Sequence, residues 1–187
     1  CILRRAAAEA LARAQAALVR ENLGLKVYDC YRPQRAVAAM ARWSRAPDDG
    51  ATRRFYPALD KRRLFALGYI AAQSRHSTGT AVDLTLIALP AARPAPYDPR
   101  APYGPCTGPA TQRAPDTSLD MGTGFDCFDA RSHTASPALT PAQAARRARL
   151  VATLRAHGWH NYPREWWHFS FYGVRPAPPY DFPIAPR

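Results

Sequence analysis

Between Pro90 and Ser118 the chain carries eight of its 19 prolines and shows little hydrophobic period. Proline has no amide hydrogen to donate and fixes its own φ, so neither a helix nor a central strand can run through such a stretch. The segment 90–118 therefore reads as a long irregular loop, and loops of that length in compact domains are usually functional or tethered. The regular elements must lie on either side of it. A second Pro-rich stretch, 176–187, reads as a tail lying over the surface.

From Arg5 to Asn22, the residues Ala8, Leu11, Ala12, Leu18 and Val19 fall largely on one helical face, and Asn22 with Gly24 supplies the stop. Leu25 to Asp29 reads as a short strand entering the turn Cys30-Tyr31-Arg32-Pro33. Pro33 suits the first position of a helix carrying Ala36, Val37, Met40 and Trp43, which places Arg32 at a strand-to-helix corner. A further helix is expected around Leu64 to Leu67, and a buried strand rich in Val, Ile, Leu and Thr over Ala81 to Leu89. Thr140-Pro141 opens a helix that stops at Gly158, and Trp166 to Tyr172 forms a final aromatic strand. This order lacks a regular βαβ repeat. The expected class is α+β, a small mainly antiparallel sheet flanked by helices, and 187 residues suit one domain over 1–187.

Apolar residues make up 47% of the chain and charged residues 21%, the balance of a globular protein, and no apolar run is long enough for a transmembrane segment. The net charge of +12 suits an anionic partner by sign alone. Of the 26 cations, however, all but Lys26 and Lys61 are Arg, scattered with no run longer than Arg146-Arg147. No zinc finger, helix-turn-helix or aromatic-basic motif accompanies them, so the charge reads as solvated surface and no nucleic acid is expected as a partner. The sequence begins at Cys1 with no basic or apolar leader before the first helix, so any export signal is expected to have been removed or not included. Cys1, Cys30, Cys106 and Cys127 lack the paired short spacings of a structural zinc site. An even count suggests two disulfides and an oxidising compartment, with four reduced thiols as the alternative.

Two distant segments hold the residue types of a catalytic zinc site. His76 is followed seven positions later by Asp83, and Glu165-Trp166-Trp167-His168 lies far downstream. Hydrolytic zinc takes three protein ligands of His and carboxylate type and keeps one position for a water whose pKa it lowers. His76, Asp83 and His168 supply the three, and Glu165 is left as the general base that takes the water proton and passes it to the leaving amine. The chain has only three Glu residues, and Glu9 and Glu21 sit on the first helix, so Glu165 among aromatics is no routine surface charge. His133, His157 and His160 read as ordinary core or surface histidines. Arg32, a cation at a tight corner, suits a substrate carboxylate or an oxyanion.

The strings DCYRPQRAV, SRHSTGTAVDLTL, MGTGFDCFDARSHT and EWWHF resemble those of the D-alanyl-D-alanine dipeptidases. These VanX-type zinc peptidases are related to D,D-carboxypeptidases and to the hedgehog signalling domain. The resemblance implies one Zn2+ per chain in a cleft on the sheet, held by His76, Asp83 and His168. It also implies Glu165 as general base, Arg32 as transition-state stabiliser, and Ser74 and Asp126 in the substrate pocket. An aromatic contact that the family carries N-terminal to these strings is not assigned to a residue here. The implied partner is the dipeptide D-Ala-D-Ala, in the periplasm or cell envelope. Asp126 would pair with the free α-amino group, since a dipeptidase must recognise both charged ends of its substrate. Cleavage of longer muropeptides, or a non-catalytic zinc-stabilised binding role, are the competing readings; the presence of Glu165 and Arg32 beside three ligands argues against the latter. Four cysteines allow three connectivities. The pairing Cys1–Cys30 and Cys106–Cys127 is expected because it would tie the N-terminal end to the Arg32 corner and the long loop to the Asp126 segment.

Overall fold

A computed structural model describes residues 1–185. Its elements are α1 (Arg5–Val19), β1 (Leu23–Asp29), α2 (Gln34–Arg45), β2 (Ala81–Ala88), α3 (Pro141–Ala156), β3 (Trp159–Tyr162) and β4 (Glu165–Phe171), joined by short 3₁₀ turns and long loops. The four strands form one antiparallel sheet in the order β1-β2-β4-β3. The class is α+β, as the pattern of elements predicts.

The central strand β2 is buried over its first six residues. Val82, Leu84 and Leu86 join Leu18 of α1, Leu150 and Leu154 of α3, and Phe169 of β4 in the main core. Residues alternate across a strand, so Asp83 and Thr85 are turned to the opposite face, where the candidate site lies. A second, smaller cluster of Tyr56, Leu64, Ile70 and Phe128 supports the loops over that face.

Several expectations need correction. The buried stripe of α1 is Ala7, Ala10, Ala14 and Leu18, while Val19 is exposed and Ala8 and Ala12 face solvent. In so Ala-rich a helix hydrophobicity cannot choose the face, and close approach to the sheet and α3 does. The helix also ends at Val19, and Asn22 takes a left-handed conformation, φ 56°, where the chain reverses into β1. No α-helix forms around Leu64–Leu67. Asp60 caps a 3₁₀ turn over Lys61–Arg63, and Gly68 at φ 77° ends the segment before two full turns are possible. Arg147 is not solvated surface. It is 1% exposed and donates to the carbonyls of Met121, Arg131 and His133, fixing the loop between them.

Pro33 stands one residue outside α2, as its N-cap. Thr140 and Gln143 close a reciprocal capping box at the start of α3, with Pro141 in the first turn. The strand β3 has no counterpart in the sequence reading; its four residues pair with β4 through a tight turn at Pro163-Arg164. The loop 90–118 is irregular apart from a 3₁₀ turn at Ala110–Gln112, and it rejoins the sheet through a bridge between Ser118 and Ile87. The Pro-rich tail crosses the surface as far as it is described; Pro186 and Arg187 lie outside the described residues. Its Tyr180 amide donates to the Ser77 carbonyl, and Asp181 accepts from the Arg35 amide at 2.7 Å, capping α2 from the far end of the chain. Cys1 is bonded to Cys30 and Cys106 to Cys127, with Cα separations of 5.5 and 5.4 Å. Among the described residues no helix is long and apolar enough to cross a membrane.

Candidate metal centre and catalytic cleft

Three adjacent strands bring a row of side chains together. Asp29 at the end of β1 is the register partner of Asp83 on β2, and Asp83 is the partner of His168 on β4. His76 arrives from a 3₁₀ turn over Arg75–Thr78, just before β2. The Ser74 hydroxyl caps that turn by accepting from the His76 amide at 3.2 Å. Gly79, at φ 66°, reverses the chain into β2, a conformation that a side chain would strain.

His76 Nε2, His168 Nδ1 and Asp83 Oδ1 form a small triangle with edges of 2.9, 3.1 and 3.3 Å. Donor atoms about 2.0–2.1 Å from a tetrahedral zinc stand about 3.3 Å apart, so the spacing fits one ion with a coordination position to spare. The chemistry of the donors fits as well. His76 Nδ1 lies 2.6 Å from the Cys30 carbonyl, which can only accept, so Nδ1 carries the proton and Nε2 presents its lone pair. His168 Nε2 faces the Ser170 hydroxyl at 3.4 Å, which can accept its proton, so that Nδ1 can present its own lone pair. Two lone pairs and a carboxylate oxygen converging on one point repel one another unless a cation sits between them.

The charges around the triangle point the same way. His76 and Asp83 are each 2% exposed and Glu165 is 8% exposed. Burial alone would raise the Asp83 carboxyl, but His76 and His168 opposite hold it well below the usual carboxylate range. Burial disfavours the His76 cation, yet Asp83 outweighs it and raises the imidazole. Glu165 is pushed well above its ordinary value by burial, reinforced by Asp83 and Asp126. Asp126 is pushed up to about 7, first by burial and then by Asp83. Arg32 is the cation that opposes them both.

All seven expected site residues (His76, Asp83, His168, Glu165, Arg32, Ser74 and Asp126) line one cleft of about 510 Å³. Arg32 donates through Nε and Nη2 to Asp29 Oδ2, at 2.9 and 2.6 Å, and its Nη2 stands 3.9 Å from Asp83. Its amide donates to the His76 carbonyl at 3.3 Å, so the corner and the metal-side turn are joined. Among the described residues Asp29 is the only hydrogen-bond acceptor for the guanidinium, which leaves further N–H groups for the cleft. Asp126 stands at φ 54°, a left-handed conformation uncommon outside glycine and one that aspartate tolerates better than most residues.

Sequence reasoning missed Asp29, the partner that aims Arg32. Its signal was available, because a carboxylate three residues before an Arg across a tight turn is within bidentate reach. It also gave His160 no role in the site, although His160 lies on the cleft wall. Tyr69 and Tyr162 stand there too, with no motif to announce them.

A family model described as D-ala-D-ala dipeptidase matches residues 1–95 and 112–183. The unmatched piece between them falls inside the Pro-rich loop. Curated relatives include the D-alanyl-D-alanine dipeptidase of Streptomyces coelicolor, 38% identical over 179 residues that cover 94% of this chain and 76% of that protein. The D-alanyl-D-alanine dipeptidase of Enterococcus faecium is 32% identical over 179 residues, covering 95% and 77%. That of Enterococcus faecalis is 33% identical over 169 residues, covering 89% and 71%.

Proposed function

The chain belongs to the D-ala-D-ala dipeptidase family of peptidases, and from that premise we propose that it is a zinc enzyme that hydrolyses the peptide bond of free D-Ala-D-Ala. The observation that carries the reading is the convergence of His76 Nε2, Asp83 Oδ1 and His168 Nδ1 in one cleft with the buried carboxyl of Glu165. His76, Asp83 and His168 would hold the metal. Bound zinc would lower the pKa of a water and polarise the scissile carbonyl.

The protein's own groups do the rest. Glu165 accepts the proton of the attacking water and delivers it to the leaving amine, a role for which a carboxyl with a raised pKa is suited. Arg32, fixed by Asp29, offers its remaining N–H groups to the negative charge that develops on the carbonyl oxygen. Asp126 receives the substrate ammonium, which adds positive charge beside a carboxyl that burial and Asp83 push up. Ser74 lines the pocket and holds the His76 backbone. Residues 1–187 act as one dipeptidase domain. The two disulfides support an exported protein of the periplasm or cell envelope.

Two substitutions test the assignment in one experiment. His168→Ala should lose both zinc and turnover, whereas Glu165→Ala should keep its zinc and lose nearly all turnover, because the base stands outside the ligand set. Full zinc occupancy in the first variant, or near-normal turnover in the second, contradicts it.

A further inference from the structure

Glu165 and His168 are three residues apart on one strand, and residues at that spacing on a regular strand face opposite sides of the sheet. Both nevertheless line the same cleft. The register shows how. From Trp159 to Asn161 each β3 residue pairs in step with β4, ending at Asn161 opposite Phe169, but Tyr162 then pairs with Glu165. Trp166, Trp167 and His168 have no partner on β3, so β4 bulges there, and the bulge turns both site residues to one side.

A bulge interrupts the regular ladder, and here a side chain bridges the carbonyls on either side of it. Asn161 Nδ2 donates to the carbonyls of Glu165 and His168, at 3.0 Å each, with the Trp166 carbonyl at 3.4 Å. The Thr134 hydroxyl donates to Asn161 Oδ1, and the Thr134 amide in turn donates to the Pro163 carbonyl at 2.9 Å. This chemistry leaves no choice of amide orientation. Carbonyls only accept, so the atom facing them must be the NH2 group, and its two hydrogens match the two acceptors.

We propose that Asn161 is a positioning residue for the reaction: its amide spans the β4 bulge and fixes, through their backbone carbonyls, the Glu165 base and the His168 ligand relative to each other. Thr134 is its support, holding the amide in the donating orientation. The proposal rests on the reading of Glu165 and His168 given above. Asn161 also stands on the cleft wall, but its amide is committed to these carbonyls and to Thr134 rather than to the metal triangle. Its effect passes through geometry, so it should fall on the chemical step and on zinc retention more than on substrate binding.

The test compares Asn161→Ala, Asn161→Asp and Thr134→Val with the parent protein. It measures kcat and KM on D-Ala-D-Ala and zinc Kd by chelator competition, with Glu165→Ala and His168→Ala run in parallel. Asn161→Ala should lower kcat by about 10- to 100-fold with KM moved less than about threefold, and should weaken zinc by about tenfold, the usual range for groups that orient ligands. Asn161→Asp fills the same space but puts an oxygen against two carbonyls, so it should lose at least as much. A side chain that merely fills space would make Asp the milder change. Thr134→Val should shift kcat and zinc Kd the same way by a smaller factor, and it decides the matter if the Asn161 variants do not fold. Unchanged kcat and zinc Kd in the folded variants, beside inactive Glu165→Ala and His168→Ala, would overturn the role of Asn161 alone. Active Glu165→Ala and zinc-replete His168→Ala would overturn the functional reading and this proposal with it.

Discussion

Arg32 shows how much one side chain depends on its immediate partners. Asp29 takes two of its donors and aims the rest, and the Cys30 carbonyl beside it sets the tautomer of His76. Because Arg32 is proposed to meet charge that develops only in the transition state, Arg32→Ala should lower kcat by about 100-fold or more and leave KM less affected. Steady-state kinetics on D-Ala-D-Ala separates the two parameters. A raised KM at constant kcat would reassign Arg32 to the substrate carboxylate. Asp126 carries a second expectation at this scale. If it pairs with the substrate ammonium, an N-acetylated substrate loses the pair and strands a buried carboxylate, a cost of about 3 kcal/mol or more and so about 100-fold in kcat/KM. Free D-Ala-D-Ala should be cleaved and its N-acetyl form nearly untouched, and Asp126→Ala should narrow the gap. Equal rates on the free dipeptide and on a muropeptide ending in D-Ala-D-Ala would instead favour a carboxypeptidase.

Among the elements, α3 does more than cover the sheet. Arg147 reaches from it to the Met121, Arg131 and His133 carbonyls, so the segment bearing Asp126 is hung on one buried guanidinium whose pKa burial pushes down to about 10. Arg147→Ala leaves the Met121 and Arg131 carbonyls without a donor, while the His133 carbonyl keeps the Ser136 amide, and each buried unsatisfied group costs about 1–3 kcal/mol. The variant should lose at least about 2 kcal/mol in denaturant unfolding and show a raised KM for the dipeptide. An unchanged midpoint would mean that the loop holds itself. The sequence reading gave this Arg to the surface because composition cannot tell one Arg among 24 from another. The same limit hid the buried face of α1. Strong local signals were read correctly: the Thr140-Pro141 start of α3, the apolar run of β2 and the aromatic run of β4 each agree with the structure to within a residue or two. The β3 strand and the β4 bulge were not legible, because both depend on pairing between strands rather than on any local period.

For the molecule as a whole, the elements that carry the cleft are braced by pieces from the chain's two ends and its middle. Cys1 is bonded to the strand end that carries Arg32, Asp181 caps α2, and the Cys106–Cys127 bridge ties the Pro-rich loop beside Asp126. The candidate site residues stood out because they lie in compact strings, His76 with Asp83 and Glu165 with His168. Their convergence was not, since nothing in a string says that β2 and β4 are neighbours with Asp83 opposite His168. The central claim is that this convergence holds a zinc ion on which D-Ala-D-Ala hydrolysis depends, and the direct measurement is D-alanine release from free D-Ala-D-Ala before chelation, after removal of the metal, and after titration with zinc. The account predicts that activity disappears with the metal and returns in proportion to zinc, levelling at one equivalent per chain. Undiminished release of D-alanine by the metal-free protein would contradict it.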